Sequence, residues 1–315
     1  MTENNVNKRN ESNNFKNELI FFNNPPPYNI IKKFGVIENG ELLLVSLNLY
    51  EKGKKLFLLE KIDLLYDNEK NRISQEIKKI AALKLKYLIE IFGYFFEQVN
   101  QKEICCIIME YSEYENLEHI IYKKNILNSK IIWKIFIQLI LGIKALSSNN
   151  FIIKNYTLKN IFFDRHKNIK LNGFGMISDF IQNYDISLLF NAYLSPEIIT
   201  GQKRSDKNDI WFIGCILYEL VYKQTAFKSE ENIININYET IYDYNDFNEI
   251  IFKLLTRYSK RLNLNNILHD IYIKNRIIEL GMLLEIIETN IKSKFLINLI
   301  FYRFYTIFFH ESIII

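Results

Sequence analysis

Two glycines in the segment FGVIENGEL are spaced as in a loop that closes over a phosphate group. Such a loop has the pattern Gly-x-Gly-x-x-Gly, and Gly35 and Gly40 fit its first and third glycines. Ile37 occupies the second position, where a β-branched side chain hinders the approach of the backbone to phosphate. An ordinary β-hairpin and a phosphate-binding loop are therefore both compatible with this segment.

Cysteine and histidine residues indicate neither a metal site nor a disulfide scaffold. The three cysteines include no Cys-x-x-Cys pair, and the four histidines do not cluster along the chain. These residues are Cys105, Cys106, Cys215, His119, His166, His269 and His310. We expect packed, reduced thiols, no bound metal and a cytoplasmic location.

Further motifs follow the glycine segment in a specific order. They are FLLEKID at 57–63, Glu76, IIMEY at 107–111, IIKNYTLKNIFF at 152–163, LNGFG at 171–175, YLSPEI at 193–198 and SDKNDIWFIGCILYEL at 205–220. This succession resembles the eukaryotic protein-kinase domain over residues 28–277. The segments EKID, MEY and YLSPE are most similar to those of the NIMA-related Ser/Thr kinases.

The resemblance implies a two-lobe α+β fold with a nucleotide pocket. The N-lobe, residues 28–111, would be a small antiparallel β-sheet with one main helix, and the C-lobe, residues 112–277, would be mainly helical. Positions that match the family's nucleotide pocket are Gly35, Gly40, Leu58, Glu76, Met109 and Asn160.

Three positions that the resemblance assigns to phosphoryl transfer carry a different residue type. Glu60 stands where the family has the lysine that holds the phosphates, and Asn155 stands where it has the catalytic aspartate. An amide cannot take a proton from a hydroxyl group near neutral pH. Gly173 replaces the aspartate that binds magnesium, so it offers no carboxylate ligand. The catalytic set is therefore not intact, and no cofactor is expected.

The residues around these positions give little compensation. Lys61 follows Glu60, but adjacent strand residues point to opposite faces unless a bulge intervenes. Leu58 replaces a small alanine of the family and would fill part of the base pocket. Glu76 would face the like charge of Glu60, so a solvated or salt-bridged role is expected. Without its metal partner, Asn160 is compatible with a structural role or with a ligand role.

Positions that hold the family's architecture together are retained. Glu197 and Arg261 match a buried ion pair, which is strongly destabilising to break. Asp209 matches the aspartate that anchors the backbone of the catalytic loop, and Phe174 fits one position of an apolar stack. Residues 176–194 lack the family's Gly-Thr-Pro, which puts substrate docking and a phosphorylation switch at Ser178, Tyr184 or Ser187 in doubt.

Hydrophobic periodicity predicts the elements that must position these residues. Short apolar runs within 28–63, separated by Glu38–Gly40 and Glu51–Gly53, predict two hairpins, and residues 69–85 have helical spacing. The other predicted elements are strands at Ile89–Phe96 and Ile104–Met109 and helices at Lys130–Leu146, Asp209–Val221, Phe247–Tyr258 and Asn263–Ile273.

Composition and the two ends limit the function further. Apolar residues make up 49% of the chain, and 40 Lys and Arg balance 36 Asp and Glu, which does not favour nucleic-acid binding. Residues 1–27, Asn-rich and ending in three prolines, predict a disordered tail. Residues 278–315 predict a helical extension, whose apolar part 295–309 is shorter than the roughly 20 residues that span a bilayer. Packing on the domain or a partner is expected there, with membrane contact as the alternative.

We interpret the sequence as a pseudokinase that acts as a regulatory or scaffolding protein-binding module, with a protein partner such as an active kinase. The alternative is a divergent Ser/Thr kinase with weak ATP- and magnesium-dependent activity on protein, in which Lys61 or Lys55 holds the phosphates. A contact between Lys61 and Glu76 beside an open adenine pocket would favour the enzyme. Leu58 filling that pocket would favour the scaffold.

Overall fold

The computed structural model describes residues 19–37, 40–47, 55–64, 66, 69–111, 116–123, 127–178, 191–240 and 245–282. These residues form two compact units. The sheet unit holds the described residues within 19–84, 88–117 and 159–178, and the helical unit holds those within 85–87, 118–158 and 191–282. Residues 1–18 of the predicted tail and residues 283–315 of the predicted extension lie outside the described residues.

The sheet unit is built on a six-stranded sheet in the order β1-β5-β6-β4-β3-β2. The strands are β1 (Ile20–Phe22), β2 (Tyr28–Ile37), β3 (Gly40–Leu47), β4 (Lys55–Asp63), β5 (Ile91–Val99) and β6 (Lys102–Met109). A second, two-stranded sheet pairs β7 (Ile161–Phe163) with β8 (Ile169–Leu171). The helices of this unit are α1 (Glu69–Ala81) and α4 (Gly173–Ile177).

Strand β4 lies in the interior of the larger sheet, and its residues alternate between the two faces. Phe57 and Leu59 belong to an apolar cluster on one face, together with residues of β3, β5 and β6. Leu58 and Glu60 therefore point to the opposite face, since successive side chains of a strand alternate. Helix α1 buries Ile73, Ile77 and Ile80, which share one face at helical spacing.

The first strand differs from the sequence prediction. Residues 20–22 lie in the segment that was expected to be a disordered tail, yet they pair in parallel with β5, whereas the other pairs of this sheet are antiparallel. A Cβ atom on Gly93 would lie 2.7 Å from the carbonyl oxygen of Ile20, so a glycine permits this close approach. Phe21 also packs against the ring of Tyr94, with centroids 5.1 Å apart. A short apolar run in a polar segment therefore suffices to add an edge strand.

The helical unit is organised around two long buried helices. Its helices are α2 (Leu117–Lys123), α3 (Ser129–Ser148), α5 (Pro196–Ile199), α6 (Asp206–Tyr222), α7 (Glu230–Asn235), α8 (Asn245–Leu254) and α9 (Ile271–Glu279). Helix α6 packs against both α3 and α8. Among the described residues, α3 is long and apolar enough to cross a membrane, but most of its length is buried as a core helix.

The last predicted helix is displaced along the chain. Residues 263–273 were expected to be helical, but the structure has a turn followed by a short 3-10 helix at Ile267–His269. Helix α9 begins only after Asp270, whose side chain accepts a hydrogen bond from the backbone N–H of Tyr272 at 3.0 Å. Aspartate favours this N-cap position because it satisfies a free N–H of the first turn.

Candidate functional site

Glu60 is a buried carboxylate in the interior of the sheet. It lies opposite Leu42 of β3 and Ile107 of β6, and its side chain is 1% exposed. Burial raises the pKa of Glu60 to about 7, while a hydrogen bond from Asn172 acts in the opposite direction. The protein-kinase family, which the sequence resembles, has a lysine at this position. Here the position is occupied by an acid in a low-dielectric environment.

Asn172 is the residue that satisfies Glu60. Its side-chain Nδ2 donates a hydrogen bond to Glu60 Oε2 at 3.0 Å, and its Oδ1 accepts one from the backbone N–H of Gly175 at 3.2 Å. The second contact makes Asn172 the N-cap of α4. Sequence analysis did not identify this residue, although asparagine is a favoured N-cap and a buried Glu60 needs a donor.

Gly173 begins α4 and is tightly enclosed. A Cβ atom built on it would lie 3.0 Å from Ile80 Cγ2 and 3.0 Å from Leu88 Cδ1. Ile80 and Leu88 are themselves buried. The magnesium-aspartate position of the family therefore has no side-chain oxygen here, and neighbouring apolar side chains fill the adjacent space.

Asn160 has a structural environment. Its Nδ2 donates to the backbone carbonyl of Gly175 at 3.0 Å, and its Oδ1 lies 3.5 Å from Asn172 Nδ2. A Cβ atom on Gly175 would lie 2.4 Å from Asn160 Oδ1, so the glycine is needed for this contact. Asn160, Asn172 and Glu60 thus form one buried polar network that ties the start of α4 to β4.

Lys61 lies on the other face of the sheet, as the alternation of β4 predicts. Its Nζ is 2.5 Å from Glu97 Oε1 and 5.3 Å from the ring centroid of Tyr28. Burial disfavours the charge on Lys61, but hydrogen bonds with Glu97 and Tyr28 outweigh it, so the pKa of Lys61 lies above its ordinary value. Lys61 is therefore already paired, and its partner is not Glu76.

Glu76 has a hydroxyl partner in the sheet unit. Ser178 donates a short hydrogen bond from its Oγ to Glu76 Oε2. Ser178 is 2% exposed, so this loop residue is held in place and not simply solvated. Sequence analysis did not predict the contact. Tyr184 and Ser187, the other candidate phosphorylation residues, lie outside the described residues.

Leu58 and Met109 occupy the base-pocket positions of the family. They lie opposite each other on β4 and β6, and both have 0% exposure. Leu58 points to the same face as Glu60. A fully buried leucine therefore stands where the family resemblance implies a small residue above an adenine.

The glycine segment forms the β2–β3 pair. Gly40 lies opposite Ile62 of β4, and a Cβ atom on it would lie 1.7 Å from the carbonyl oxygen of Lys61. Gly40 therefore serves close strand packing, which fits the hairpin alternative. Gly35 lies opposite Leu42 next to a register irregularity in β2, and residues 38–39 between the strands lie outside the described residues.

In the helical unit, Asp209 anchors the segment that contains Asn155 through a neighbouring side chain. Tyr156 donates its hydroxyl to Asp209 Oδ1 at 2.8 Å, and Arg204 donates to the carbonyl oxygen of Ile153 at 2.7 Å. Burial raises the pKa of Asp209 to about 7, and the Tyr156 bond opposes this shift. The resemblance implied a contact with the backbone, whereas the structure uses Tyr156. Asn155 itself is 6% exposed.

Glu197 and Arg261 form a buried ion pair in the same unit. Arg261 Nη2 donates to Glu197 Oε2 at 3.2 Å, and a second guanidinium nitrogen donates a short bond to the other carboxylate oxygen. Their side chains are 4% and 0% exposed, respectively. Asn208 donates to Glu197 Oε1 at 2.8 Å, and the guanidinium lies 4.7 Å from the ring centroid of Trp211.

The residues at the family's phosphate and magnesium positions do not fit those ligands. Magnesium is normally bound by carboxylates and other oxygens, but Gly173 has no side chain and the amide of Asn160 already faces Gly175 and Asn172. Glu60 presents a carboxyl group where a cation would be required. No step of a phosphoryl transfer can be derived from these three positions.

Comparison with known proteins identifies the family. The protein kinase domain family matches residues 28–276. The chain is 27% identical over 208 residues to serine/threonine-protein kinase Nek3 of Oryza sativa subsp. japonica, covering 64% of this chain and 34% of that protein. It is 30% identical over 209 residues to serine/threonine-protein kinase Nek11 of Macaca fascicularis, covering 64% and 32%.

A third relative is serine/threonine-protein kinase Nek7 of Arabidopsis thaliana, to which the chain is 27% identical over 189 residues. That alignment covers 58% of this chain and 33% of Nek7. The chain thus spans about a third of the length of the curated relatives it matches. The predicted two-lobe α+β kinase fold and the similarity to NIMA-related kinases are both confirmed. Because the family match covers most of its length, the chain belongs to the protein kinase family.

Proposed function

We propose that this domain is a pseudokinase, which works in the cytoplasm as a regulatory or scaffolding protein-binding module. The observation that carries the proposal is the hydrogen bond between Asn172 and Glu60, because it fixes a carboxyl group at the position where a kinase needs a lysine. The proposed partner is a protein, and an active kinase is one candidate.

Electrostatics at Glu60 oppose phosphate binding. When Glu60 is ionised, it repels a phosphate charge at about 4 Å by roughly 4 kcal/mol at an effective dielectric constant of about 20. When it is protonated, the repulsion is removed, but no positive charge replaces it. In neither protonation state does Glu60 supply the attraction that phosphoryl transfer depends on.

Lys61 does not offer an available substitute. Recruiting it would break its ion pair with Glu97, whose two side chains are only 14% and 13% exposed. It would also require either a bulge in β4 or a shift of its register by one residue, which moves every side chain of the strand to the other face. The pairing of β4 with β3 and β6 is continuous and shows no bulge, which opposes both changes.

The retained architecture supports a binding role. The Glu197–Arg261 pair and the Tyr156–Asp209 bond are buried polar contacts that fix the helical unit. These contacts stabilise a fold and need no catalytic chemistry. A chain that keeps them while it loses the phosphate and metal positions is expected to present a stable surface to other proteins.

A divergent Ser/Thr kinase is the second candidate. The names of the relatives favour it, since Nek3, Nek11 and Nek7 are all called serine/threonine-protein kinases. This candidate requires a saturable ATP·Mg²⁺ complex and transfer of the γ-phosphoryl group to a protein acceptor.

Ligand-dependent melting and label transfer separate the two candidates. For the full chain we expect no saturable, Mg²⁺-dependent rise in Tm with ATP, because binding to the native state alone would raise it. We also expect no transfer of γ-labelled phosphate to the chain or to a generic protein acceptor. Transfer that is present in the wild type and lost in Lys61→Met or Leu58→Phe would overturn the proposal. Transfer that both variants and Lys55→Met retain would not depend on this site and would identify a contaminating kinase.

A further inference from the structure

A pocket of about 520 Å³ opens in the sheet unit, away from the network of Glu60, Asn160 and Asn172. Its walls come from the start of β4, from β5, from the residues that follow β6 and from the turn between β7 and β8. A volume of this size lies within the range of about 300–1,000 Å³ that is usual for ligand sites in proteins. None of the positions that match the family's nucleotide pocket lines it, although Lys55, the second candidate to hold the phosphates in the enzyme alternative, does.

The floor of the pocket is aromatic. Phe57 and Phe92 meet edge to face, with ring centroids 5.6 Å apart and an interplanar angle of 82°. Phe57 is only 4% exposed and belongs to the apolar cluster of the sheet, and the half-buried Phe92 packs against that cluster. The aromatic lining is therefore held by the core, and the half-buried ring of Phe92 offers apolar surface to an incoming side chain.

The acidic residues around the pocket already have partners. Glu110 forms an ion pair with Lys170 at 2.9 Å. Asp164 accepts hydrogen bonds from the backbone N–H groups of His166 and Asn168 at 2.8 and 2.9 Å. Their negative charge is thus largely engaged within the sheet unit.

The basic residues around the pocket are engaged much less. Lys55 and Arg165 are exposed, and across the described part of the chain neither has a carboxylate partner. Arg165 donates its Nε to His166 Nε2 at 3.1 Å, and its terminal nitrogens have no hydrogen-bond acceptor among the described residues. The pocket therefore combines an aromatic floor with an excess of available positive charge.

We propose that this pocket docks an acidic segment of a partner protein that inserts one bulky apolar side chain against Phe57 and Phe92. Lys55 and Arg165 pair with Asp or Glu residues on either side of that anchor. An apolar anchor in a pocket supplies most of the affinity of such contacts, and the surrounding charges select the partner and speed its association. This inference rests on the proposed binding role and assigns a surface to it.

Defined peptides test the proposal. Fluorescence anisotropy of the full chain is measured with the labelled probe Gly-Asp-Glu-Phe-Asp-Glu-Gly, with its Phe-to-Ala counterpart, and with Gly-Lys-Lys-Phe-Lys-Lys-Gly. We expect saturable binding of the acidic Phe probe with a Kd below about 1 mM, and at least about fivefold weaker binding of the other two. The double variant Lys55→Glu/Arg165→Glu is expected to weaken binding of the acidic Phe probe about tenfold, and Phe92→Ala about threefold.

A charge-matched control keeps the test specific. The double variant Lys79→Glu/Arg257→Glu changes two exposed basic residues outside the pocket and alters the net charge equally. It should leave the Kd unchanged within about twofold. Lys55→Gln/Arg165→Gln serves as a milder variant if charge reversal impairs folding, and far-UV circular dichroism checks every variant.

Several outcomes contradict the docking proposal. They are the absence of saturable binding, equal binding of the Phe and Ala probes, preference for the basic probe, and equal weakening by the pocket and control variants. Peptide binding is measured without nucleotide, and label transfer is measured without peptide. Failure of the docking surface and failure of the pseudokinase assignment are therefore separate results.

Discussion

Asn172 joins helix α4 to strand β4 by donating its side-chain amide to Glu60 at 3.0 Å. Through its carbonyl oxygen the same side chain caps α4 at Gly175. One residue therefore satisfies a buried carboxyl group and a free helix N–H together. This arrangement stabilises a carboxyl group at the position where kinases have the lysine that holds the phosphates. It also makes the stability of the fold sensitive to the protonation of Glu60.

Glu60→Gln is expected to stabilise the protein at pH 8 and to have little effect at pH 5. The folded-state pKa of Glu60, about 7, is above its ordinary value of 4.5, so the folded state binds the proton more tightly than the unfolded state. Stability then falls as pH rises from about 4.5 to about 7 and is level above that, with a total loss of at most about 3 kcal/mol. Glutamine keeps an acceptor for Asn172 and removes this loss.

Urea denaturation at pH 5, 6, 7 and 8 measures the effect, with Glu239→Gln as a control at an exposed carboxylate. Asp209, whose pKa is also raised to about 7, contributes a slope of the same sign in all three proteins. The difference between wild type and Glu60→Gln therefore isolates Glu60. Identical pH profiles for these two proteins would contradict the prediction.

Substitutions of Asn172 separate its two contacts. Asn172→Ala removes both hydrogen bonds and should cost about 2–4 kcal/mol, since a cap and a bond to a buried acid are lost together. Asn172→Asp keeps an acceptor for Gly175 but places a second carboxyl group against Glu60. It should be less stable than Asn172→Ala at pH 8, and the order should reverse at pH 5, where Glu60 is protonated and can donate.

Chemical denaturation of both variants at the two pH values provides the measurement. Asn172→Ser, which retains a hydroxyl cap and has no charge, should show little dependence of its relative stability on pH. If Asn172→Asp is the more stable variant at pH 8, the side chain acts as a helix cap alone and its contact with Glu60 contributes nothing.

Gly173→Asp restores the residue type of the family's magnesium position, but it should destabilise this protein. The new Cβ would meet Ile80 and Leu88 at 3.0 Å, and the carboxylate would be buried among apolar side chains. A loss of at least about 2 kcal/mol is expected, and Mg²⁺ should not recover it.

Gly201→Asp is the matched control for this substitution. Gly201 has open space around it but a φ of +80°, so its replacement should cost only about 1 kcal/mol of backbone strain. Thermal unfolding of both variants, with and without Mg²⁺, gives the comparison. A Mg²⁺-dependent rise in Tm for Gly173→Asp alone would mean that the surroundings can still form a metal site.

Strand periodicity was sufficient to place two of the decisive residues. Because adjacent residues of β4 alternate, the sequence predicts that Glu60 and Lys61 lie on opposite faces, and the structure has this arrangement. The burial of Leu58 follows from the same pattern. Local pattern is informative here because a central strand has a fixed period of two.

The partners of these residues were not predictable in the same way. Asn172 is distant from Glu60 in sequence, and Ser178 is distant from Glu76, so neither pair follows from local spacing. Their contacts arise from the packing of α4 against the sheet and α1. Strand β1 was not predicted for another reason. The polar composition of residues 1–27 predicted a disordered tail, although the apolar run Ile20–Phe22 is long enough to pair with the edge of β5.

Breaking the Glu197–Arg261 pair should be far more costly than breaking an exposed ion pair in the same unit. Glu197→Ala leaves the Arg261 guanidinium buried without its carboxylate, and an uncompensated buried charge costs about 3–5 kcal/mol. Asp246→Ala breaks the contact between Arg276 and Asp246, whose side chains are 31% and 62% exposed, and should cost less than about 1 kcal/mol.

Denaturant unfolding at neutral pH and low salt measures the loss of stability in both variants. Adding 1 M NaCl should reduce the already small Asp246 effect and leave the Glu197 effect largely unchanged, because salt screens exposed charges much more than buried ones. Equal losses for the two variants would mean that solvent reaches Arg261, and the ion pair would then have no special part in holding the helical unit together.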